Sequence, residues 1–440
     1  MTKTTKIIRG NLFDFLSEFT HDASQPVARF LLDGALVIED GKIIDINYYK
    51  DIAEKYPDLP CDDYSGKLIL PGFIDTHIHF PQTEIIGSFG HQLIDWLNSY
   101  AFPAEKEFKD AAYARQIADI FIKELFKNGT TSCLAFSTVH KQAVEALFEA
   151  ASKYDMRLIT GRVWMNRNGD PALMDNTEVA YEETRELIQK WHKNGRNLYA
   201  LTPRFAISCD EHSLDLQGKL HSEFPDTYIQ THLSENKQEV KIIHALFPDA
   251  KDYLEVYEHA GLLTDRTVFA HGIHLSDSEL ERIAKAGATI AHCPTSNLFL
   301  GSGLFDLKRT HEAGVQTAIA TDVGGGTSFS LLRTLDEAYK VQQLQGYALK
   351  PFEAFYRITL GAAKALKLDH LIGNFDEGKE ADFVVLDCAV TTTQKLRVDF
   401  LQHNQCLDIE TLLFGLQITG DDRNVEATYV MGEKVYQKGE

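Results

Sequence analysis

Between residues 68 and 371, eight short runs with the character of buried strands alternate with helix-like stretches. The runs begin with LILPGFIDTH (68–77), TTSCLAF (130–136), RLITGRVWM (157–165) and LYALTPRFAIS (198–208). They continue with TYIQTHL (227–233), TVFAHGIHL (267–275), ATIAHCP (288–294) and VQTAIATD (315–322). Amphipathic segments such as KQAVEALFEAASKY, NTEVAYEETRELIQKWHK and SDSELERIAKAG separate most of them. Eight successive βα units are most economically closed as a (β/α)8, or TIM, barrel, so the expected class is α/β. A length of 440 residues leaves room for that barrel and one small accessory domain. Residues 1–67 are rich in hairpin signals, with Asp33-Gly34 and Asp40-Gly41 as turn pairs, and EATYVMGEKVYQ (426–437) predicts a hairpin around Met431 and Gly432. We therefore expect residues 1–67 and 372–440 to combine into a small β-sandwich flanking a barrel at 68–371.

In such a barrel the chemistry sits at the C-terminal ends of the strands. The first run extends to LILPGFIDTHIHF (68–80), where His77 and His79 are two residues apart and face the same side of a strand. Neutral imidazole is the commonest metal ligand, but one His-x-His pair can arise in any strand by chance. The remaining strand ends supply His232, His271 and Asp322, all able to converge on one point. His77, His79, His232 and Asp322 make a nitrogen and oxygen set of the kind Zn²⁺ takes when a position is kept for water. His274 and His292 are expected to be structural. Glu235, three residues past His232, has two readings. It either satisfies the start of the next helix with Ser234, or points back over the barrel mouth, where a partly desolvated carboxyl can hold and deliver a proton.

Lys and Arg number 44 against 64 Asp and Glu, a formal charge of −20 that disfavours a nucleic-acid partner. No run is apolar enough to span a bilayer and the N-terminus lacks a signal peptide's apolar core, so no membrane association is expected. Six dispersed cysteines without a Cys-x-x-Cys pair read as reduced thiols of a cytoplasmic protein.

The motifs resemble those of the guanine deaminase family, in the amidohydrolase superfamily, along the whole chain. PGFIDTHIHFPQ (71–82), IDWLNSYAFPAE (94–105), TPRFA (202–206), THLSEN (231–236) and FAHGIHL (269–275) occur in family order. CPTSNLFLGSG (293–303), ATDVGGGTSFSLLRTLDEAYK (320–340) and IGNFDEGKEADFVVLD (372–387) complete the series. The resemblance implies one zinc ion on His77, His79, His232 and Asp322, since the fourth strand ends in Thr202, Pro203, Arg204 and Phe205 and supplies no bridging Lys or acid. It implies that His271 hydrogen-bonds the reacting centre rather than the metal, and that Glu235 shuttles protons. Gln82 and Arg204, with Phe205 beside them, are implied in base recognition, and Trp96 and Phe205 could cover the ring faces. The implied reaction is guanine plus water to xanthine plus ammonia, with Asp322 accepting the water's proton, in a homodimer. Its alternatives are a related deaminase acting on cytosine or a modified purine, and a barrel used as a non-catalytic scaffold.

Overall fold

A computed structural model of the chain describes residues 5–18, 27–90 and 92–439. Four strands precede the barrel: β1 (Thr5–Phe15), β2 (Ala28–Glu39), β3 (Lys42–Tyr48) and β4 (Cys61–Pro71). The barrel takes β5 (Phe73–His79), β6 (Thr130–Phe136), β7 (Arg157–Gly161) with its short continuation β8 (Val163–Trp164), and β9 (Leu198–Pro203). It continues through β10 (Tyr228–Leu233), β11 (Thr267–His271), β12 (Thr289–His292) and β13 (Gln316–Ile319). Three strands follow: β14 (Phe383–Leu386), β15 (Val425–Val430) and β16 (Glu433–Gln437).

The strands from the two ends of the chain join in one ladder, in the order β16-β15-β14-β4-β1-β2-β3. Only the β1–β4 pair in it is parallel. The ladder curls over a shared apolar cluster that includes Ile8, Leu36 and Ile69 from the first part and Phe383, Val385 and Tyr429 from the last. Its two edge hairpins meet: a Cβ added to Gly41 would fall 2.7 Å from Met431 Cε, and one added to Gly432 2.7 Å from Ile38 Cγ2. Both turns have left-handed central residues, Asp40 and Gly41 at φ 50° and 78°, Met431 and Gly432 at 49° and 73°, as two-residue hairpin turns require. Asp33-Gly34 departs from its expected role. It lies inside β2, where the register against β1 slips between Gly10 and Leu12. Asp33 adopts φ 53° there, and its carboxylate accepts a fork of hydrogen bonds from Arg9, at 2.7 and 3.1 Å. The dipeptide makes a bulge, not a turn.

The eight barrel strands pair in parallel from β5 to β13, with helices between them. The helix Ala111–Lys127 illustrates the local logic: Asp110 caps it by accepting from the Ala112 and Tyr113 amides, and Ile117, Phe121 and Leu125 form its buried stripe. The barrel closes through the residues after β13, where Asp322 N–H donates to His77 O at 2.9 Å and His79 N–H to Val323 O at 2.8 Å. One apolar residue from each strand fills the lower interior, among them Ile74, Leu134, Tyr228 and Val268. Ala362, Ala363 and Leu366 plug that end, where Tyr228 Oη donates to Leu366 O at 2.6 Å. The lower barrel is thus filled with side chains, and space is left at the C-terminal mouth.

Candidate active site

The mouth is shaped by departures from regular strand geometry. The register of β5 against β6 slips between Asp75 and Ile78, so Ile74 joins the inner apolar layer while His77 and His79 also turn inward above it. The His77 ring lies 4.9 Å from that of His232 and 5.6 Å from that of His271. Phe136 forms a wall against the rings of His77, His79 and His232. His271 ends β11 with φ 72°, so strand alternation no longer sets its direction. Asp322 lies three residues beyond the end of β13, not on the strand as the sequence predicts, and has φ 52°. Residues 320–323 leave the ladder pattern to bond sideways to β12 and β5. Asp75, fully buried, ties the two edges together: Thr321 Oγ1 donates to it at 2.5 Å, and the His77 and Thr321 amides at 3.2 Å each.

Four of the predicted groups present bare donor atoms to one another. His77 Nε2 is buried without a hydrogen bond, although Asp322 Oδ1 lies only 3.1 Å away. His79 Nε2 is 3.3 Å from the same oxygen and 3.3 Å from His232 Nε2. His232 Nδ1 donates to the Arg204 carbonyl at 2.6 Å, which leaves its Nε2 as a lone pair. Two imidazole nitrogens facing each other gain little unless a cation lies between them. Corners of a tetrahedron with zinc bonds of about 2.0–2.1 Å are about 3.3 Å apart, so this donor set fits one zinc ion. Protonation suits ligation as well. Burial lowers His79 to about 4 and His232 well below the usual imidazole range. Burial opposes the Asp322 charge, but His77 and His79 overcome it and hold the carboxyl well below the usual range.

Glu235 belongs to the mouth and not to a helix cap. The next helix, Lys237–Leu246, is capped by Asn236 and Glu239 in a reciprocal box, so the capping alternative for Glu235 falls. Glu239 accepts from the Glu235 amide at 2.8 Å and from Tyr253 Oη at 2.8 Å, which fixes the backbone there. Ser302 Oγ donates to Glu235 Oε1 at 2.9 Å, and Glu235 Oε2 lies 3.4 Å from His271 Nε2. Burial, with the Asp322 charge adding to it, pushes the Glu235 carboxyl up to about 8. Asn297 Oδ1 lies 2.9 Å from His271 Nδ1 and orients that ring. His274 and His292 stay outside the site. His274 Nε2 donates to Ser302 O at 2.9 Å, and His292, buried on Phe305, is pushed down to about 3.

Above the donor set opens a cavity. Gln82, Arg204, Phe205 and Trp96 all line it beside His79, His232, Glu235, His271 and Asp322. The Trp96 indole N–H is spent on Ser88 O at 3.0 Å, so that ring offers the cavity apolar surface. Leu93, Leu97 and Leu300 add to the apolar lining. Three polar groups that sequence reasoning passed over support the site. Glu105 accepts from both Gln82 and Arg204, Asn297 holds His271, and Ser302 holds Glu235. All three lie in motifs recognised on the sequence. A signal existed for Glu105, because a buried Arg204 demands a carboxylate partner.

A (β/α)8 barrel with a histidine and aspartate donor set and a buried carboxyl, Glu235, at its mouth defines a metal-dependent hydrolase of the amidohydrolase class. The model of the amidohydrolase family matches residues 68–435. A guanine deaminase of Escherichia coli (strain K12) is 47% identical over 439 residues, covering 99% of this chain and 98% of that one. The crystal structure of a guanine deaminase from Bradyrhizobium japonicum superposes with a TM-score of 0.95 at 38% identity, covering 99% of this chain and 100% of that one. A third, the guanine deaminase from C. acetobutylicum with guanine bound in its active site, has a TM-score of 0.86 at 31% identity, with 98% and 100% covered. The chain belongs to the guanine deaminase family of the amidohydrolases.

Proposed function

We propose that this chain hydrolyses guanine to xanthine and ammonia, with His77, His79, His232 and Asp322 as zinc ligands and Glu235 as the proton carrier. The observation that carries the reading is the convergence of His77, His79, His232 and Asp322 with Glu235 and His271 at one cavity that Gln82 and Arg204 also line. Zinc, when bound, makes a water acidic enough to serve as nucleophile near neutral pH. Asp322 takes the water's proton, and its depressed pKa keeps it ionised until then. Glu235 gives its proton to the ring nitrogen beside C2, which withdraws electrons from that carbon. His271, held by Asn297, supports charge that develops at the tetrahedral centre. The amino group then leaves as ammonia, with protons passed through the same two carboxyls. Arg204 and Gln82 read the polar edge of the base, and Phe205 and Trp96 cover its faces. The guanine bound in the relative from C. acetobutylicum supports this choice of substrate.

The test is ammonia release from a panel of bases by purified protein. Guanine is expected to be the best substrate, with activity lost on chelation. A large margin in favour of cytosine or an oxidised purine would overturn the reading. Among the described residues no helix is long and apolar enough to cross a membrane, and the six cysteines are unpaired, which supports a reducing cytoplasm as the setting. The resemblance supports a homodimer, and light scattering giving the mass of one 49.6 kDa chain would count against it.

A further inference from the structure

Glu105 is a buried carboxylate that touches neither the zinc donors nor Glu235. It lies on the short helix Phe102–Glu107 and is 1% exposed. Its two oxygens are divided between two partners: Oε1 accepts from Gln82 Nε2 at 3.1 Å, and Oε2 accepts from Arg204 Nη1 at 2.5 Å. The same helix sets Phe102 with its ring centre 5.0 Å from the Arg204 guanidinium carbon. On its other side Gln82 Oε1 accepts from the Gly324 amide at 3.3 Å.

Each of these contacts removes a freedom. A side-chain amide has donor and acceptor ends of nearly the same shape and can be turned over by its surroundings. With a carboxylate facing one end and a backbone N–H facing the other, the Gln82 amide has a single satisfied orientation. It keeps one N–H and one lone pair for a ligand. A guanidinium cannot shed its proton, so a buried Arg204 needs a counter-ion. Glu105 neutralises it through one nitrogen and leaves its other donors for a neutral carbonyl oxygen.

We infer that Glu105 is a specificity-determining positioning residue, which locks Gln82 and Arg204 into one preset edge that selects bases bearing a carbonyl oxygen there. The inference rests on reading the cavity as a guanine site. A base with hydrogen or an amino group at that edge leaves the locked donors unpaired and is rejected for that reason. Without Glu105, Arg204 becomes a buried unpaired charge and Gln82 regains its second orientation.

Glu105→Gln tests the lock in the zinc-loaded enzyme. KM and kcat are measured with guanine, and inhibition constants are measured with hypoxanthine, which has the 6-oxo group, and with purine, which lacks it. KM for guanine and the constant for hypoxanthine are expected to rise roughly tenfold or more, while kcat falls less than KM rises. The constant for purine is expected to change by less than about threefold, with zinc content unchanged. Equal weakening of hypoxanthine and purine would reduce Glu105 to a packing role and overturn the inference, as would wild-type values throughout. If Glu105→Gln fails to fold, Glu105→Asp keeps the charge and is read by the same contrast, with selective loss for hypoxanthine expected and equal loss overturning. A wild-type enzyme that leaves guanine untouched would instead refute the substrate assignment itself.

Discussion

Glu235 and Asp322 are buried carboxyls that flank one imidazole, 3.4 and 3.8 Å from His271 Nε2, yet their surroundings drive their protonation apart. Glu235 accepts one hydrogen bond, from Ser302, and faces the Asp322 charge, so burial prevails and its pKa rises to about 8. Asp322 faces His77 and His79, and its pKa falls. Two like groups with divergent pKa values make an acid and a base at one pH. Glu235→Gln keeps the shape and the bond from Ser302 but carries no transferable proton. Its zinc content is expected to match wild type while kcat falls roughly 10²-fold or more. Near-normal turnover in that variant would assign the shuttle elsewhere. The sign of the pH dependence follows from the same group. With Glu235 as the proposed proton carrier the acid form is the active one, so kcat/KM is expected to fall as pH rises through the Glu235 pKa. A bound dication beside the carboxyl favours ionisation, which places the alkaline limb at or below pH 8. A profile still flat above about pH 9 would contradict this assignment.

At the scale of elements, the joint between terminal sheet and barrel combines apolar packing with a buried cluster of charges. Just ahead of β14, Glu380 accepts from Arg157 at 2.5 and 3.0 Å and from Arg196 at 2.6 Å, and Asp382 accepts from Arg196 as well. All four side chains are under 10% exposed. Removing one member strands the others as buried charges, so Glu380→Ala is expected to cost about 3 kcal/mol or more. Thermal melting at a fixed scan rate should show it as a drop of several degrees with little change in kcat. An unchanged midpoint would mean that water replaces the carboxylate. The Glu380 pKa is held down against burial by the two arginines, so its share of stability is present above the ordinary carboxylate range and is lost as pH falls through the lowered value. Much of this arrangement is legible in the chain. The barrel strands, the Asp40-Gly41 and Met431-Gly432 turns, and His77, His79 and His232 follow from periodicity and turn chemistry. Asp33-Gly34 misleads because a left-handed Asp, at φ 53°, serves a bulge here as it serves a hairpin turn at Asp40. Glu105, Asn297 and Ser302 escape for a different reason: partners 23 to 99 residues away define them, and no local pattern encodes such pairings.

Across the whole molecule the donor set joins strands that are distant in sequence. His77 and His79 come from β5, His232 from β10, and Asp322 from the segment that closes the barrel. An ion held there by the folded chain, and not by the unfolded one, stabilises the fold in proportion to the logarithm of its free concentration, by about 2.7 kcal/mol at 100 times its dissociation constant. The barrel is expected to fold without the ion, because its lower interior is closed by an apolar layer and the 360–372 segment. Chelated protein is therefore expected to keep its secondary structure, lose guanine turnover and melt several degrees lower, and added zinc should restore both properties. The three readouts separate the possible faults. Loss of turnover without a shift in melting would place the essential ion outside the donor set. Unfolding on chelation would mean that the apolar layer alone cannot hold β5 against β13. A melting point that climbs with the logarithm of free zinc, in step with recovered activity, identifies the ion bound by His77, His79, His232 and Asp322 as the one the reaction uses.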